Sequence, residues 1–405
     1  MIYPYVGDYL ISPVPLQLSF NYCSHKCSYC FANLNNPGRT FDVKQYQDQI
    51  KSITTRNDLQ STLLKQKYPV LISNLVDPFA TSNYQIAVPV IEQLTNMGIP
   101  VAIQTRGGVT KGETAADDVL SFLPPSVWYI SIPTLNDAIR KQIEPAAPSI
   151  ESRFKLISKL KEKGHEVLVG INPTVSDWLP DNDSDKLLTI LKGLGVHGVW
   201  VAALHFNTKQ MKVMPGRDKT NLGPAVIKKG LDNARDLQPE CFDFIDGIKN
   251  SALSKGLEVE GMFDGGVNHF FDVFGKVYKK LFPTIHEFIN WCHQNKQDGE
   301  PVYFHEFVKV MSGFPTGEHN LSPYMMCMSQ QLVKEVHYKM SYKKLLWLSW
   351  NEYRMKRTLD RYWSFKVGVT MKGDTMNWHT DDKGNKIFFF QRNGWEDEDE
   401  FLIIK

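Results

Sequence analysis

Cysteine is scarce in this chain, long apolar runs are missing, and charge is nearly balanced: six cysteines in 405 residues, with a formal net charge of +2. Each shortage excludes something. No uninterrupted apolar stretch approaches the ~20 residues a membrane-spanning helix needs. Met1 to Leu10 (MIYPYVGDYL) has neither the basic start nor the apolar core of a secretory signal. Six cysteines, three clustered and three scattered, make no disulfide framework, so the expected setting is the reducing cytoplasm, with no membrane partner. What remains is a globular chain, 42% hydrophobic, long enough for one large domain or two ordinary ones.

The cysteines that are present are concentrated. Cys23-Ser24-His25-Lys26-Cys27-Ser28-Tyr29-Cys30 places three of the six within eight residues. Thiolates grouped this tightly bind soft metal. An iron–sulfur cubane normally takes four cysteines, one per iron. No fourth follows before Cys241, so a cubane held by this loop keeps one iron free for a ligand that is not protein. The alternative is a zinc knuckle completed by His25 or a distant residue. Such sites usually pair two short Cys-x2-Cys or Cys/His units, and only one is present.

The surrounding pattern alternates strand and helix. Leu16, Leu18 and Phe20 alternate with Gln17 and Ser19 and run straight into the cysteine loop, which predicts a half-buried strand with the metal site at its C-terminal end. Further strands are expected at Pro69–Ser73, Val101–Thr105, Val127–Ile132, Val167–Ile171 and Val199–Leu204. Helical patterns lie between them: a polar stretch from Val43 to Lys67, Asn83–Asn96, and Glu151–Lys163 with Phe154, Ile157 and Leu160 on one face. This order predicts parallel strands joined by right-handed crossovers, as a closed or partial barrel over residues 1–207. Chemistry in such barrels sits at the C-terminal strand ends.

The spacing Cys-x3-Cys-x2-Cys, with an aromatic residue before the last cysteine, resembles the signature of the radical S-adenosylmethionine (SAM) superfamily. Asp77-Pro78-Phe79, Thr105-Arg106, Ser131-Ile132, Ile143-Glu144-Pro145 with Pro148 and Arg153, and Gly170-Ile171-Asn172-Pro173 resemble the branch containing spore photoproduct lyase. The resemblance covers about the first half of the chain. It implies an α/β fold, a partial or closed (β/α) barrel of the radical SAM type followed by a mainly helical C-terminal region. It implies a [4Fe–4S] cluster on Cys23, Cys27 and Cys30, and SAM on the open iron, with Tyr29 against the adenine. It further implies an electron donor such as a flavodoxin or ferredoxin, and a 5′-deoxyadenosyl radical that takes hydrogen from the substrate. Arg106 and Ser131 inherit SAM-holding roles by position, and arginine suits a carboxylate because its fork donates two hydrogen bonds. Asp77, Asn74, Glu144, Arg153 and Asn172 are further expected pocket residues.

Two departures from that branch stand out. The Gly-Gly-Glu segment that many members use to hold the SAM amine is replaced by Ser73-Asn74-Leu75-Val76-Asp77. The hydrogen-donating cysteine of spore photoproduct lyase, three residues before the aspartate, is here Asn74. The thymine-dimer repair cycle is therefore not expected; Cys327 or Tyr324 could serve as hydrogen donor instead.

Residues 208–405 change character, becoming mainly helical and rich in aromatics, either a second domain or a cap over the barrel. His286, Cys292 and His293 could meet on one helical side, but no HExxH or paired-cysteine spacing accompanies them. From Lys334 to Lys372 ten basic residues face three acidic ones, interleaved with Tyr338, Tyr342, Trp347, Trp350, Tyr353, Tyr362 and Trp363. Basic groups neutralise phosphates and aromatic faces stack on bases, so a DNA, RNA or nucleotide substrate is the leading expectation. The competing reading makes Trp347 and Trp350 the buried side of an amphipathic helix. A hairpin is expected at the end, Asp382-Lys383-Gly384-Asn385 turning between Thr375–His379 and Ile387–Phe390. Together these features predict a radical SAM enzyme of lyase or oxidoreductase type modifying or repairing nucleic acid. A peptide or small metabolite is the alternative substrate, and a non-catalytic zinc-stabilised binding module the alternative class.

Overall fold

The computed structural model describes residues 2–4, 14, 16–30, 41–56, 61, 64–72, 76–107, 114–203, 239–261, 271–279, 285–312, 347, 350–351, 365–367, 369–372 and 375–392. Its centre is one sheet whose strands lie side by side in chain order: β1 (Ile2–Pro4), β2 (Leu16–Leu18), β3 (Val70–Ile72), β4 (Val101–Thr105), β5 (Val127–Ser131), β6 (Glu166–Thr174), β7 (Gly198–Ala203) and β8 (Glu258–Gly261). β2 to β8 are parallel, and β1 pairs antiparallel with β2. Parallel neighbours need crossovers. Helices supply them: α1 (Val43–Lys51), α2 (Tyr84–Asn96), α3 (Thr114–Phe122), α4 (Asp137–Ile143), α5 (Ile150–Glu162), α6 (Asp183–Gly193) and α7 (Pro239–Ser254). The α/β architecture expected from the sequence is present, and among the described residues no ladder joins β8 back to β1 or β2.

Local chemistry explains the helix starts. Asp42 caps α1 by accepting from Gln45 N while the Gln45 side chain accepts from Asp42 N, a capping box. Asn136 caps α4, accepting from Ala138 N and Ile139 N, and Ser149 caps α5, accepting from Ser152 N. α5 buries Leu156, Ile157 and Leu160, each contributing about 1.5–3 kcal/mol through removal from water.

Strand alternation divides the sheet's side chains between two cores. Ile103, Ile130, Val169 and Val201 pack with residues of the crossover helices, among them Val90, Leu94, Ile157 and Leu188. Leu71, Ala102, Val127, Tyr129, Leu168 and Trp200 belong to a separate cluster with Val273, Phe274 and Tyr278. Val273 and Phe274 lie on α8 (Phe271–Val277), so a short helix from beyond the sheet covers its second face. The Tyr278 hydroxyl donates to Val101 O at 2.7 Å and accepts from Val127 N at 2.9 Å, linking that helix to the starts of β4 and β5.

α9 (Ile285–Asn295) and α10 (Phe304–Ser312) continue the helical character. β9 (Pro301–Val302), β10 (Phe365–Val367) and β13 (Phe388–Phe390) make a three-stranded sheet in the order β10-β13-β9, and β11 (Val369–Lys372) pairs with β12 (Thr375–Trp378). The expected terminal hairpin forms beside its turn and does not extend along β12 and β13. Its turn forms, with Asp381 accepting from Lys383 N and Asn385 N, and Thr380 bridges Lys386. Ile387 N also donates to His379 O at 2.9 Å, while β12 and β13 pair with other strands and Phe388 packs on Trp350 with ring centres 4.7 Å apart.

Trp350 is itself fully buried among Phe288, Phe304, Phe307 and Phe388, and its indole N–H donates to Lys386 O. For this residue the helix-core reading holds and base stacking does not. Trp347 is exposed. No helix among the described residues is long and apolar enough to cross a membrane.

Candidate functional site

The expected site residues that fall among the described positions gather at one end of the sheet. The cysteine loop follows β2, Asp77 follows β3, Arg106 directly follows β4, Ser131 ends β5 and Asn172 lies near the end of β6. Asn74, Tyr324 and Cys327 lie outside the described residues.

Two neighbouring segments clamp the cysteine loop. On one side Ser82 Oγ donates to Tyr22 O at 2.9 Å, Ser24 N donates to Ser82 Oγ at 3.1 Å, and the Asn83 amide donates to Tyr22 O at 2.7 Å. On the other, Ser28 N donates to Ile143 O at 2.8 Å and Ala146 N to His25 O at 3.2 Å. His25 adds a ring contact on each flank, Nδ1 being 3.2 Å from Ala146 O and Nε2 3.3 Å from Asp77 Oδ2. Lys26 stands at φ 55, the left-handed conformation that tightens the loop between its first two cysteines.

Cys23, Cys27 and Cys30 form no disulfide; Cys23 and Cys27 are buried and Cys30 is half-buried. Burial, aided by the Asp77 charge, pushes the Cys23 thiol up to about 11. Burial pushes Cys27 up further, with Arg106 opposing and Glu144, Cys30 and Cys23 adding. Three thiols this close resist ionising together, and a bound cation reverses that preference because a coordinating thiol is deprotonated outright. The donor set fits a soft metal cluster. Among the described residues no group of three or more His, Cys, Asp and Glu side chains converges on a single-ion site; a cubane takes its thiolates on three separate irons.

Beside the loop lies a buried polar network. Asp77 Oδ1 accepts from Phe79 N at 2.9 Å and Thr105 Oγ1 at 2.8 Å, and Oδ2 accepts from Arg106 N at 2.6 Å. Burial alone would raise its carboxyl, but His25 and Arg106 hold it below the usual range. Glu144, with no exposed side-chain surface, is the hub. Its Oε1 accepts from the Tyr29 hydroxyl and from Arg106 Nε at 3.0 Å, while Oε2 accepts from Arg153 Nη2. Here too burial works against the charge, and Arg153 and Arg106 overcome it, bringing the carboxyl to about 2. The pairing of Glu144 with Arg153 is thus a buried ion pair, and Arg153 also donates to Ser131 O at 2.7 Å and to Pro148 O.

Arg106 differs from Arg153 in keeping 24% of its side chain exposed. Nη2 donates to the Tyr29 hydroxyl at 3.1 Å, and its guanidinium lies 5.7 Å from the Tyr29 ring centre. Tyr29 packs on Trp178 at 5.5 Å. Ser131 Oγ donates to Asn172 O at 3.1 Å. The arrangement offers one partly exposed cation next to an aromatic ring and three thiols, a suitable host for an anionic group.

Sequence reasoning named Thr105 only within the Thr105-Arg106 motif and did not single out Gly107, Arg140 or Trp178. Gly107 adopts φ +94, and a Cβ there would come within 2.9 Å of Arg153 Cγ. Arg140, buried, donates to Glu144 O at 3.1 Å and Ala147 O at 2.9 Å, fixing the backbone of the hub. Only the positive φ, through a glycine after Thr105-Arg106, left any trace in the sequence. Cys292 packs in the main apolar core and His293 meets the Phe390 ring edge-on at 4.9 Å, so neither belongs to this site.

Residues 18–188 match the family model described as Radical SAM, the radical SAM superfamily. Among curated relatives, an uncharacterized protein of Mycobacterium tuberculosis is 25% identical over 192 residues, 45% of this chain and 56% of its own. An uncharacterized protein of Acidianus two-tailed virus is 26% identical over 202 residues, 45% of this chain and 64% of its own. The chain thus spans 56% to 64% of the length of these relatives. Among solved structures, Streptococcus suis SuiB bound to S-adenosylmethionine matches with a TM-score of 0.42 at 14% identity, over 65% of this chain and 52% of SuiB. Spore photoproduct lyase complexed with dinucleoside spore photoproduct matches with a TM-score of 0.40 at 12% identity, over 62% of this chain and 76% of that one.

Proposed function

From the radical SAM domain that residues 18–188 form, we propose that the chain is an enzyme in which Cys23, Cys27 and Cys30 hold a [4Fe–4S] cluster and leave its fourth iron to SAM. When bound and reduced, that pair supplies a 5′-deoxyadenosyl radical able to abstract hydrogen from an unactivated carbon. The protein's part is binding, orientation and shielding. Arg106, partly exposed and already fixed through Nε, grips the SAM carboxylate with its remaining donors. Tyr29 offers its ring beside that guanidinium, and Ser131 and Asn172 line the pocket from β5 and β6. Asp77 holds the site together, its carboxylate joining His25 of the cysteine loop to the backbone of Arg106.

The observation that carries this reading is the clamped loop of three cysteines, none in a disulfide, with a partly exposed arginine beside it. The test is anaerobic reconstitution with iron and sulfide, followed by reductant and SAM. Four irons per chain and release of 5′-deoxyadenosine are expected; a single tightly held zinc and no SAM cleavage would establish the zinc-stabilised module instead.

For the substrate we propose a nucleic acid or nucleotide, modified or repaired by lyase or oxidoreductase-type chemistry. The support is the basic, aromatic composition of residues 334–372 and the exposed Trp347 within it. Burial of Trp350 removes one stacking face and favours the second reading, a peptide or small metabolite. DNA, RNA, nucleotides and peptides are compared for stimulation of 5′-deoxyadenosine release. Deuterium passing from a labelled substrate into that nucleoside identifies the attacked carbon, and stimulation by peptides alone would retire the nucleic-acid reading. An electron donor such as a flavodoxin or ferredoxin and a hydrogen donor at Tyr324 or Cys327 belong to the same proposal.

A further inference from the structure

We infer that Glu144 and Arg153 act on bound SAM only through Arg106 and Tyr29, as positioning residues that do not touch it. The inference rests on the SAM reading above and concerns which groups of the network remain open to a ligand. Glu144 and Arg153 expose none of their side chains, whereas Arg106 exposes 24%. Glu144 has both oxygens engaged, Oε1 by Tyr29 and Arg106 and Oε2 by Arg153. Arg153 is spent on backbone: Nε and Nη2 donate to Pro148 O and Nη1 to Ser131 O, with Nη2 also donating to Glu144. A carboxylate offers about four acceptor positions; three of those on Glu144 are filled, and with no side-chain surface exposed the remaining one, on Oε2, is enclosed by protein. A guanidinium with four donations made inside the protein has little left for a carboxylate.

Arg106 is the reverse case. Its Nε is held by Glu144 and one Nη2 hydrogen by Tyr29, and the other donors have no protein partner among the described residues. Glu144 therefore sets the direction in which the open part of the fork points. Arg153 neutralises the second oxygen of Glu144, ties it to the loop ending at Pro148 and to the end of β5, and so fixes the hub itself. The chain of action runs Arg153 to Glu144 to Arg106 to ligand, with a branch from Glu144 to Tyr29 and the cysteine loop. This arrangement places the rotamer of Arg106 under the control of residues a ligand never reaches.

A double-mutant cycle on SAM affinity separates mediation from direct contact. Equilibrium dialysis under anaerobic conditions is run on cluster-loaded wild type, Arg106→Met, Glu144→Gln and the double variant, with circular dichroism melts of each. If Glu144 works through Arg106, each single change weakens SAM binding about 10-fold or more, and the double variant is within about 3-fold of Arg106→Met alone. If Glu144 touches SAM directly, the two losses multiply to about 100-fold and the inference is overturned. A purely scaffolding Glu144 would lower the melting temperature and leave the affinity of the folded protein unchanged, which also overturns it. Should Glu144→Gln fail to fold, Glu144→Asp, which keeps the charge and withdraws it by one methylene, goes through the same cycle. Wild type that loads a cluster and yet binds no SAM would refute the SAM reading itself, a result distinct from multiplying losses.

Discussion

At the scale of single residues, the site is governed by what burial does to charge. Glu144 is ordinarily a carboxyl near 4.5 and in the fold lies at about 2, because two guanidinium groups outweigh its desolvation. A depressed carboxyl stabilises the fold above its unfolded value and loses that contribution as pH falls from about 4.5 towards 2; Asp77, also lowered, acts in the same direction. His165 behaves alike for another reason. Buried and neutral, it lies at about 4 because desolvation disfavours its charged form, and its Nδ1 accepts from Ser126 N at 3.0 Å. Unfolded chains take up a proton there below 6.5, so stability also falls between pH 6.5 and 4. Thermal melts across pH are expected to decline in these two windows, with His165→Leu less stable throughout but flat across the upper one. Glu144→Gln leaves two guanidinium groups without their counter-charge and is expected to cost about 3–5 kcal/mol in denaturant titrations. That the cysteine loop, Tyr29 and Arg106 lie together was legible in the sequence because each follows the end of an expected parallel strand. That Glu144 is a hub and Arg153 its bracket was not, since full burial and the commitment of every polar atom are properties of the assembled fold.

Elements show the same division. Five of the six strands expected along the first half are bounded within two residues of where they form, and α2 and α5 begin one residue from their expected starts, because period-two and helical apolar patterns are local. β6 runs on past the expected Ile171 to Thr174. β8 was not anticipated: Glu258-Val259-Glu260-Gly261 has one apolar residue, and only pairing with β7 makes it a strand. Nor does sequence show that α8 covers the sheet's second face, a contact between segments far apart in the chain. Tyr278→Phe tests that contact. It removes the donor to Val101 O and the acceptor for Val127 N while keeping the ring, and about 1–3 kcal/mol of destabilisation is expected from the buried N–H left unsatisfied. Gly107→Ala tests the join between β4 and α5. With φ at +94 and the new Cβ 2.9 Å from Arg153 Cγ, it should lose about 1–3 kcal/mol in chemical denaturation.

For the whole molecule, the seven parallel strands bring residues from five separate strand ends to one site. The stretch from Lys334 to Lys372 was legible as composition but not as surface, because composition cannot say which aromatics face water. Two tryptophans three residues apart now make the distinction testable: Trp350 is fully buried and Trp347 is 44% exposed. Trp350→Ala is expected to destabilise the fold by about 3–5 kcal/mol, as for a large aromatic removed from a packed core. Trp347→Ala should change stability by no more than about 0.5 kcal/mol. If this region binds nucleic acid, the same Trp347→Ala change weakens single-stranded DNA or RNA binding by about 1–3 kcal/mol of stacking energy. The wild-type affinity must then also fall steeply between 50 and 200 mM salt, by about 10³-fold or more if six or more phosphates are neutralised. Filter binding at several salt concentrations reads both. A salt-independent affinity, or a Trp347→Ala protein that binds as wild type does, would move the substrate from nucleic acids to peptides or metabolites while leaving the cysteine loop and its arginine in place.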